Sequence, residues 1–380
     1  MKIGIVTFWQ TRDNYGQMLQ CWALQYYLRS CGHEPYLIRY RHTEAFAIDF
    51  KITVKGFIKN LLRLRLKSLL PKKTILPPLS DNDKQRDFET FKKEKLRVSE
   101  RTYLSLQELQ KEPPEADCYI VGSDQVWSKL LYFKENRVFF LDFGSESPKR
   151  IAYAASFSYE KYPKDIQVKL RNALSRFNAI SVREKTGVKI CEGIGIHAQL
   201  VVDPTLLLHD NDYYKNFHIE KKKRSGIFLY VLNIRDPKEI GWEELKTFAE
   251  ENKTEITVTT ASGYVDSKEL FSNANYKYPT VDGWIKNIAS AELVVTTSFH
   301  GIVFCLLMHT PFIFIPLRGE YAKGNNRVLD LFSYLGIDSG VYDERINYSK
   351  MTTPRFDWDE IDKRLQKLRM ESISFLTDNL

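Results

Sequence analysis

The chain has 380 residues, 43% of them apolar and 27% charged, and carries a net charge of +8. This is the balance of a folded, water-soluble protein long enough for two domains, not of a disordered or fibrous chain. No run of about 18 uncharged apolar residues occurs, which excludes a spanning helix.

Ile3 to Phe8 reads as a strand, Gln17 to Ser30 as a helix stopped by Gly32, and Tyr36 to Tyr40 as the next strand, a βαβ unit. The first strand is too short, and too soon followed by polar residues, for a secretory leader, so a cytoplasmic location is expected. Asn14 and Gln17, in D-N-Y-G-Q, fall in the first strand–helix loop and are candidates to bind an acceptor across a cleft. Asn14 serves equally well as a helix N-cap. Neither a GxGxxG nor a Walker A loop is present.

Residues 51–73 hold eight Lys or Arg and no acid, with Val54, Phe57, Ile58, Leu61, Leu62 and Leu69 at helical spacing. A cationic amphipathic helix of this kind, in an insert of about 45–75, suits an anionic membrane surface or a packed helix with a solvated basic face. The excess of positive charge suits anionic partners in general. Nucleic acid is not expected, because no zinc-finger, RNP-type or basic-helix motif accompanies it. The five cysteines form no CxxC pair, which argues against a disulfide framework and a structural zinc site.

Strands follow at Cys118–Val121, Ile151–Ser156 and Ile180–Arg183, with a helix near Lys164–Phe177. Asp124, in V-G-S-D-Q-V-W, stands at a strand end, placed to accept a hydroxyl proton or to cap a turn. Trp127 reads as a sugar-stacking face or as core. Arg183 follows its strand and opens a helix, where a guanidinium suits a carboxylate or phosphate; beside it, Glu184 reads as a helix N-terminal acid. Asp203-Pro204 reads as a structural turn, and 210–224 as a linker.

The alternation then restarts, with strands at Ile227–Leu232, Ile256–Thr260, Leu293–Thr297 and Phe312–Pro316 and helices near 238–251, 281–291, 301–309 and 327–335. Alternation of this kind builds parallel sheets with helices on both faces. The expected architecture is α/β and GT-B-like: two Rossmann-like domains with a cleft between them. The first spans 1–208, the second 209–345, and a helical tail at 346–380 is expected to return to the first. His300 and Gly301, after Ser298-Phe299, fall at a strand–helix switch, where such folds place their ligands. Of the seven histidines, His300 alone has such a junction.

The N-terminal stretch MKIGIVTFWQTRDNYGQMLQ, the middle SVREKTGVKICEG…VVDPT and VTTSFHG, in that order, resemble the polysaccharide pyruvyl transferase family. The resemblance runs from Met1 to about Leu335 and is thinnest over 41–115. It implies transfer of the enolpyruvyl unit of phosphoenolpyruvate onto two hydroxyls of a sugar, giving a ketal and phosphate, in surface polysaccharide assembly. It further implies a galactose-type acceptor on a lipid-linked precursor at the inner membrane face, with no metal and no cofactor beyond phosphoenolpyruvate as co-substrate. The family's catalytic histidine falls on His300 and its donor-binding arginine on Arg183. Where many members carry an arginine two residues before that histidine, this chain has Ser298. Arg327 is the expected substitute, with Lys323 and Arg318 beside it in a turn suited to anions. Two other readings stand on the same scaffold: a glycosyltransferase with a nucleotide-sugar donor, and a non-catalytic glycan- or lipid-binding protein.

Overall fold

A computed structural model describes residues 1–41, 79–128, 134–157, 160–261, 270–344, 348 and 354–380. The basic stretch 51–73 lies outside the described residues. The first sheet holds seven parallel strands: β1 (Lys2–Val6), β2 (Glu34–Tyr40), β3 (Val98–Tyr103), β4 (Cys118–Val121), β5 (Lys149–Ala155), β6 (Ala179–Val182) and β7 (Gln199–Leu200). Their order is β3-β2-β1-β4-β5-β6-β7. The second sheet holds β8 (Ile227–Val231), β9 (Ile256–Thr260), β10 (Asn275–Tyr276), β11 (Leu293–Thr296) and β12 (Phe312–Phe314), in the order β10-β9-β8-β11-β12. Both sheets are doubly wound, and together they form the two Rossmann-like halves of a GT-B-like fold. The strand order reverses beside β1 and β4 in one sheet and beside β8 and β11 in the other, which fixes where each sheet opens a crevice.

Strands β4, β8 and β11 are buried along their whole length. Helices on both faces leave no side of a parallel sheet wet, so such strands are apolar throughout rather than alternating. Strand β3, VSERTY, escaped prediction because it is an edge strand with mostly exposed residues.

Twelve helices occur among the described residues: α1 (Tyr15–Ser30), α2 (Asp81–Arg86), α3 (Phe88–Lys95), α4 (Leu106–Lys111), α5 (Lys164–Leu174), α6 (Lys185–Gly193), α7 (Asp210–Asn216), α8 (Trp242–Glu251), α9 (Val281–Ser290), α10 (Phe299–Met308), α11 (Asn326–Leu335) and α12 (Trp358–Asn379). Residues 210–224, expected as a linker, begin with α7, whose Tyr213 is fully buried against Trp22 and Phe304. Helix α12 lies against the first half: Ser372 Oγ accepts from Val202 N at 2.9 Å, and the buried Arg369 donates to Leu206 O at 2.7 Å.

One hydrophobic core runs through both halves. Tyr15, on α1 of the first half, stacks on Trp284 of α9 in the second with ring centroids 5.3 Å apart, and its hydroxyl donates to Pro279 O at 2.7 Å. Such a ring pair contributes about 0.5–1.5 kcal/mol beyond the area it buries. Arg86, fully buried, donates to Thr260 O and lies over the Tyr278 ring at 4.7 Å. These contacts bring the carboxyl ends of the two sheets together, and the candidate site lies there.

Candidate functional site

Four segments of the first half and two of the second meet at this junction. After β4 the chain passes through Gly122, whose φ of +113° and approach to Tyr153 O leave no space for a side chain: a Cβ would sit 2.1 Å from that oxygen. The turn aims Ser123 and Asp124 inward, and Asp124 itself adopts a left-handed φ of 74°, a region that aspartate tolerates better than most residues.

Arg183, at the end of β6, ties the segments together. Its Nη1 donates to Asp203 Oδ2 at 2.7 Å and reaches Ser123 Oγ at 3.3 Å, while Nη2 donates to Asp124 Oδ1 at 3.0 Å. Ser123 Oγ donates to Asp203 Oδ2 at 2.8 Å. The other Asp203 oxygen accepts from Thr205 N at 3.1 Å and from Thr205 Oγ1 at 2.8 Å. The Arg183 side chain is 1% exposed. It was expected to bind a donor; both its terminal nitrogens hold two buried carboxylates, while its side chain also lines the adjoining cavity.

From the second half comes His300, in the first turn of α10. Its Nε2 stands 3.6 Å from Asp203 Oδ2, close enough for charge attraction but too long for a hydrogen bond, and Nε2 has no hydrogen-bond partner. Gly16 of α1 packs over the ring: a Cβ at that position would lie 2.2 Å from Nδ1 and 2.3 Å from Cγ. The Phe299 ring carries two cations, Arg183 at 5.0 Å and Arg327 at 5.7 Å from its centroid.

The electrostatics follow from this packing. Burial alone would raise the Asp203 carboxyl, but His300, Arg183 and Ser123 together hold it well below the usual carboxylate range. Asp124 is likewise depressed: Arg183, His300 and Arg327 outweigh its burial. Glu184 goes the other way. Burial pushes its carboxyl up despite Arg183 and Arg327, while its Oε1 accepts from Phe157 N at 2.9 Å. It begins α6 as expected, but its side chain turns inward. Arg327 is pulled down to about 10 by burial and by Arg183, against the attraction of Asp124, Glu184 and Asp203.

The remaining candidates divide. Ser298 is the N-cap of α10: its Oγ accepts from Gly301 N at 3.2 Å. Gly301 allows close approach to Thr296, not to a ligand, since a Cβ there would meet Thr296 Oγ1 at 2.6 Å. Asn14 caps α1 through Gln17 N at 3.2 Å. Its neighbour Gln17 is partly buried in the first turn of that helix. Lys323 is exposed, and Arg318 is ion-paired to Glu344.

Trp127 offers no face to a sugar. It is fully buried, stacked on Phe140 at 5.7 Å with Phe157 at 4.8 Å, and its Nε1 donates to Phe139 O at 2.8 Å. Asp203, read as a turn former, does cap the turn at Pro204–Leu206, but its nearness to His300 was not foreseen, nor was that of Gly16. The V-D-P-T signal for Asp203 was visible, but nothing local told that its carboxylate would meet His300.

Arg183, Asp203, Phe299 and Arg327 line a cavity of about 30 Å³, together with Leu331, Tyr334 and Leu368. Among the described residues no group of three or more His, Cys, Asp or Glu is placed to hold a metal, and no helix is long and apolar enough to cross a membrane.

Two doubly wound sheets whose facing carboxyl ends enclose an acid–base cluster define a GT-B-like enzyme scaffold. The sequence profile of the polysaccharide pyruvyl transferases matches residues 14–318, and the chain belongs to that family. Among solved structures it is similar to the UDP-GlcNAc 2-epimerase of Neisseria meningitidis, with 9% identity, 99% of this chain and 93% of that one covered, and a TM-score of 0.45. The UDP-GlcNAc 2-epimerase of Methanocaldococcus jannaschii gives 12%, 97% and 100%, and 0.46. The Streptomyces sp. SF2575 glycosyltransferase SsfS6 gives 12%, 98% and 96%, and 0.41. No curated protein matches the chain.

Proposed function

We propose that this protein transfers the enolpyruvyl unit of phosphoenolpyruvate onto two hydroxyls of a galactose-type sugar, forming a pyruvate ketal and releasing phosphate. The observation that carries the reading is the meeting of His300 with the Arg183-bound carboxylates of Asp124 and Asp203, with Arg327 beside Phe299. His300 supplies a proton to the methylene carbon, which becomes the methyl group and leaves C2 electrophilic. One sugar hydroxyl adds to C2 and loses its proton. The second hydroxyl then displaces phosphate from the same carbon, and its proton leaves with the phosphate. Asp124 is the group that relieves a hydroxyl of its proton, and Arg327 balances the charge of the donor as phosphate departs.

The acceptor in this reading is a lipid-linked precursor of a surface polysaccharide, and the eight cations of 51–73 suit an enzyme working at an anionic membrane. The test is phosphate release from phosphoenolpyruvate in the presence of galactose-type acceptors, with the ketal product identified by mass. Acceptor-dependent phosphate release is expected. Thermal stabilisation by a uridine nucleotide but not by phosphoenolpyruvate, with no phosphate released, would replace this reading by that of a glycosyltransferase.

A further inference from the structure

Asp203 and His300 belong to different halves of the molecule, and the catalytic reading of His300 leaves Asp203 without a task. Asp203 is 1% exposed, fixed on one oxygen by both donors of Thr205, and on the other by Ser123 and Arg183. A carboxylate with that many fixed partners is a rigid reference point. Its Oδ2 faces the one ring nitrogen of His300 that is buried and unpartnered, across 3.6 Å. A buried ring nitrogen without a partner is costly, and the gap is less than 1 Å longer than a charge-assisted hydrogen bond. Gly16, also from the first half, supports the ring face and keeps the imidazole aligned with that oxygen.

The space between the halves adds a second argument. About 30 Å³ is left among Arg183, Asp203, Phe299 and Arg327, roughly the share of one water. The 3.6 Å between Asp203 Oδ2 and His300 Nε2 is itself close enough for a small shift of either group to make the bond. Catalytic hydrogen bonds commonly stand long without ligand and tighten in the complex.

We propose that Asp203 is the positioning residue for His300. From across the domain boundary it holds the Nε2–H and so leaves Nδ1 as the nitrogen that exchanges a proton with the substrate. This rests on the reading of His300 as the proton donor. The carboxylate stays ionised and takes no proton. Its effect is to select one tautomer and one ring orientation, the role that the aspartate plays in a Ser-His-Asp triad.

The experiment is nitrogen-15 NMR of the imidazoles in the full-length protein, with His300→Gln used to assign the His300 signals. In the wild type, neutral His300 should carry its proton on Nε2. Asp203→Asn, close to isosteric, should shift His300 toward a mixture of tautomers. It should also lower kcat by roughly 10²-fold or more while leaving the KM for phosphoenolpyruvate within about twofold. A wild-type His300 protonated on Nδ1 when neutral would overturn the proposal without need of any variant. An Asp203→Asn protein that folds and shows the wild-type His300 spectrum would do the same. The failure of the function itself reads differently: no phosphate would be released by the wild type with any acceptor, while the tautomer still reports whether Asp203 holds His300.

Discussion

The imidazole of His300 occupies the space into which a side chain on Gly16 would project, with 2.2 Å between a Cβ there and Nδ1. The catalytic candidate of one half is therefore seated on the helix of the other, and that seat admits only glycine. Gly16→Ala should displace the ring from Asp203 or hold the halves apart. Overpacking of this kind costs typically 1–3 kcal/mol, so a lowered melting temperature and at least about a tenfold loss of turnover per folded molecule are expected. Gly193→Ala is the control: it lies in α6 with open space at its Cβ, and alanine there should be neutral or slightly stabilising. If both variants turn over like wild type, the close seat is not needed for function.

How far the sequence foretold this site depends on the range of the interaction. Strands β4 and β9 and helix α11 were legible almost to the residue, because burial in a parallel sheet and an amphipathic helix leave local patterns. The positions of Asp124, Arg183 and His300 at strand ends were legible for the same reason. The partners were not. That Arg183 would hold Asp124 and Asp203 depends on β4, β6 and the 203 turn coming together, a juxtaposition with no local signature. Trp127 was ambiguous until its ring faces were seen covered by Phe140 and Phe157. Ser298, visible as a missing arginine, proved to be a capped helix start.

The carboxylate cluster sets the acid limit of stability. Asp203 and Asp124 are depressed in the folded chain, with burial opposing and His300 and Arg183 prevailing. Stability from such groups is fully present above the unfolded carboxylate value of about 4 and is lost as pH falls through the folded values. Glu184, raised by burial, acts in the opposite sense and offsets part of that slope. Denaturant unfolding at stepped pH should show stability falling steeply below about pH 4, and Asp203→Asn should make that fall shallower. An unchanged slope in Asp203→Asn would mean that the charge of this carboxylate does not couple to folding.

Arg183 and Arg327 should separate in experiment, although both lie beside Phe299. Arg183 holds two buried carboxylates, so Arg183→Met leaves them unpaired, a loss that costs about 3–5 kcal/mol in buried pairs. The expected result is a large loss of stability. Arg183→Lys should restore little, because one ammonium does not span the two carboxylates that Nη1 and Nη2 reach. Arg327, partly buried over the Phe299 ring at the edge of the cavity, is the cation proposed to meet an anionic donor. Arg327→Ala should raise the apparent donor constant by about 10–10²-fold, the equivalent of a charged hydrogen bond, with the acceptor constant little changed. A wild-type donor constant in Arg327→Ala would transfer the role to the exposed Lys323.

His300 is the residue on which the proposed chemistry turns. It is 7% exposed, its ring lies against Gly16, and its Nε2 faces a carboxylate. Removing it also removes a favourable charge from beside Asp203 and Asp124, whose carboxyls His300 helps to depress. His300→Gln keeps much of the volume and a hydrogen-bond donor near Asp203 but has no proton to deliver at neutral pH. Positioned proton transfer contributes about 10²–10⁴-fold in rate, so turnover should fall by at least about 10²-fold. Donor binding should change little, because the proton is needed in the transition state and not in the ground state. A purely structural histidine predicts the converse: a lower unfolding midpoint, with the surviving folded molecules as active as wild type. Turnover and denaturant unfolding measured on one preparation decide between them, and wild-type turnover per folded molecule in His300→Gln would remove His300 from the mechanism.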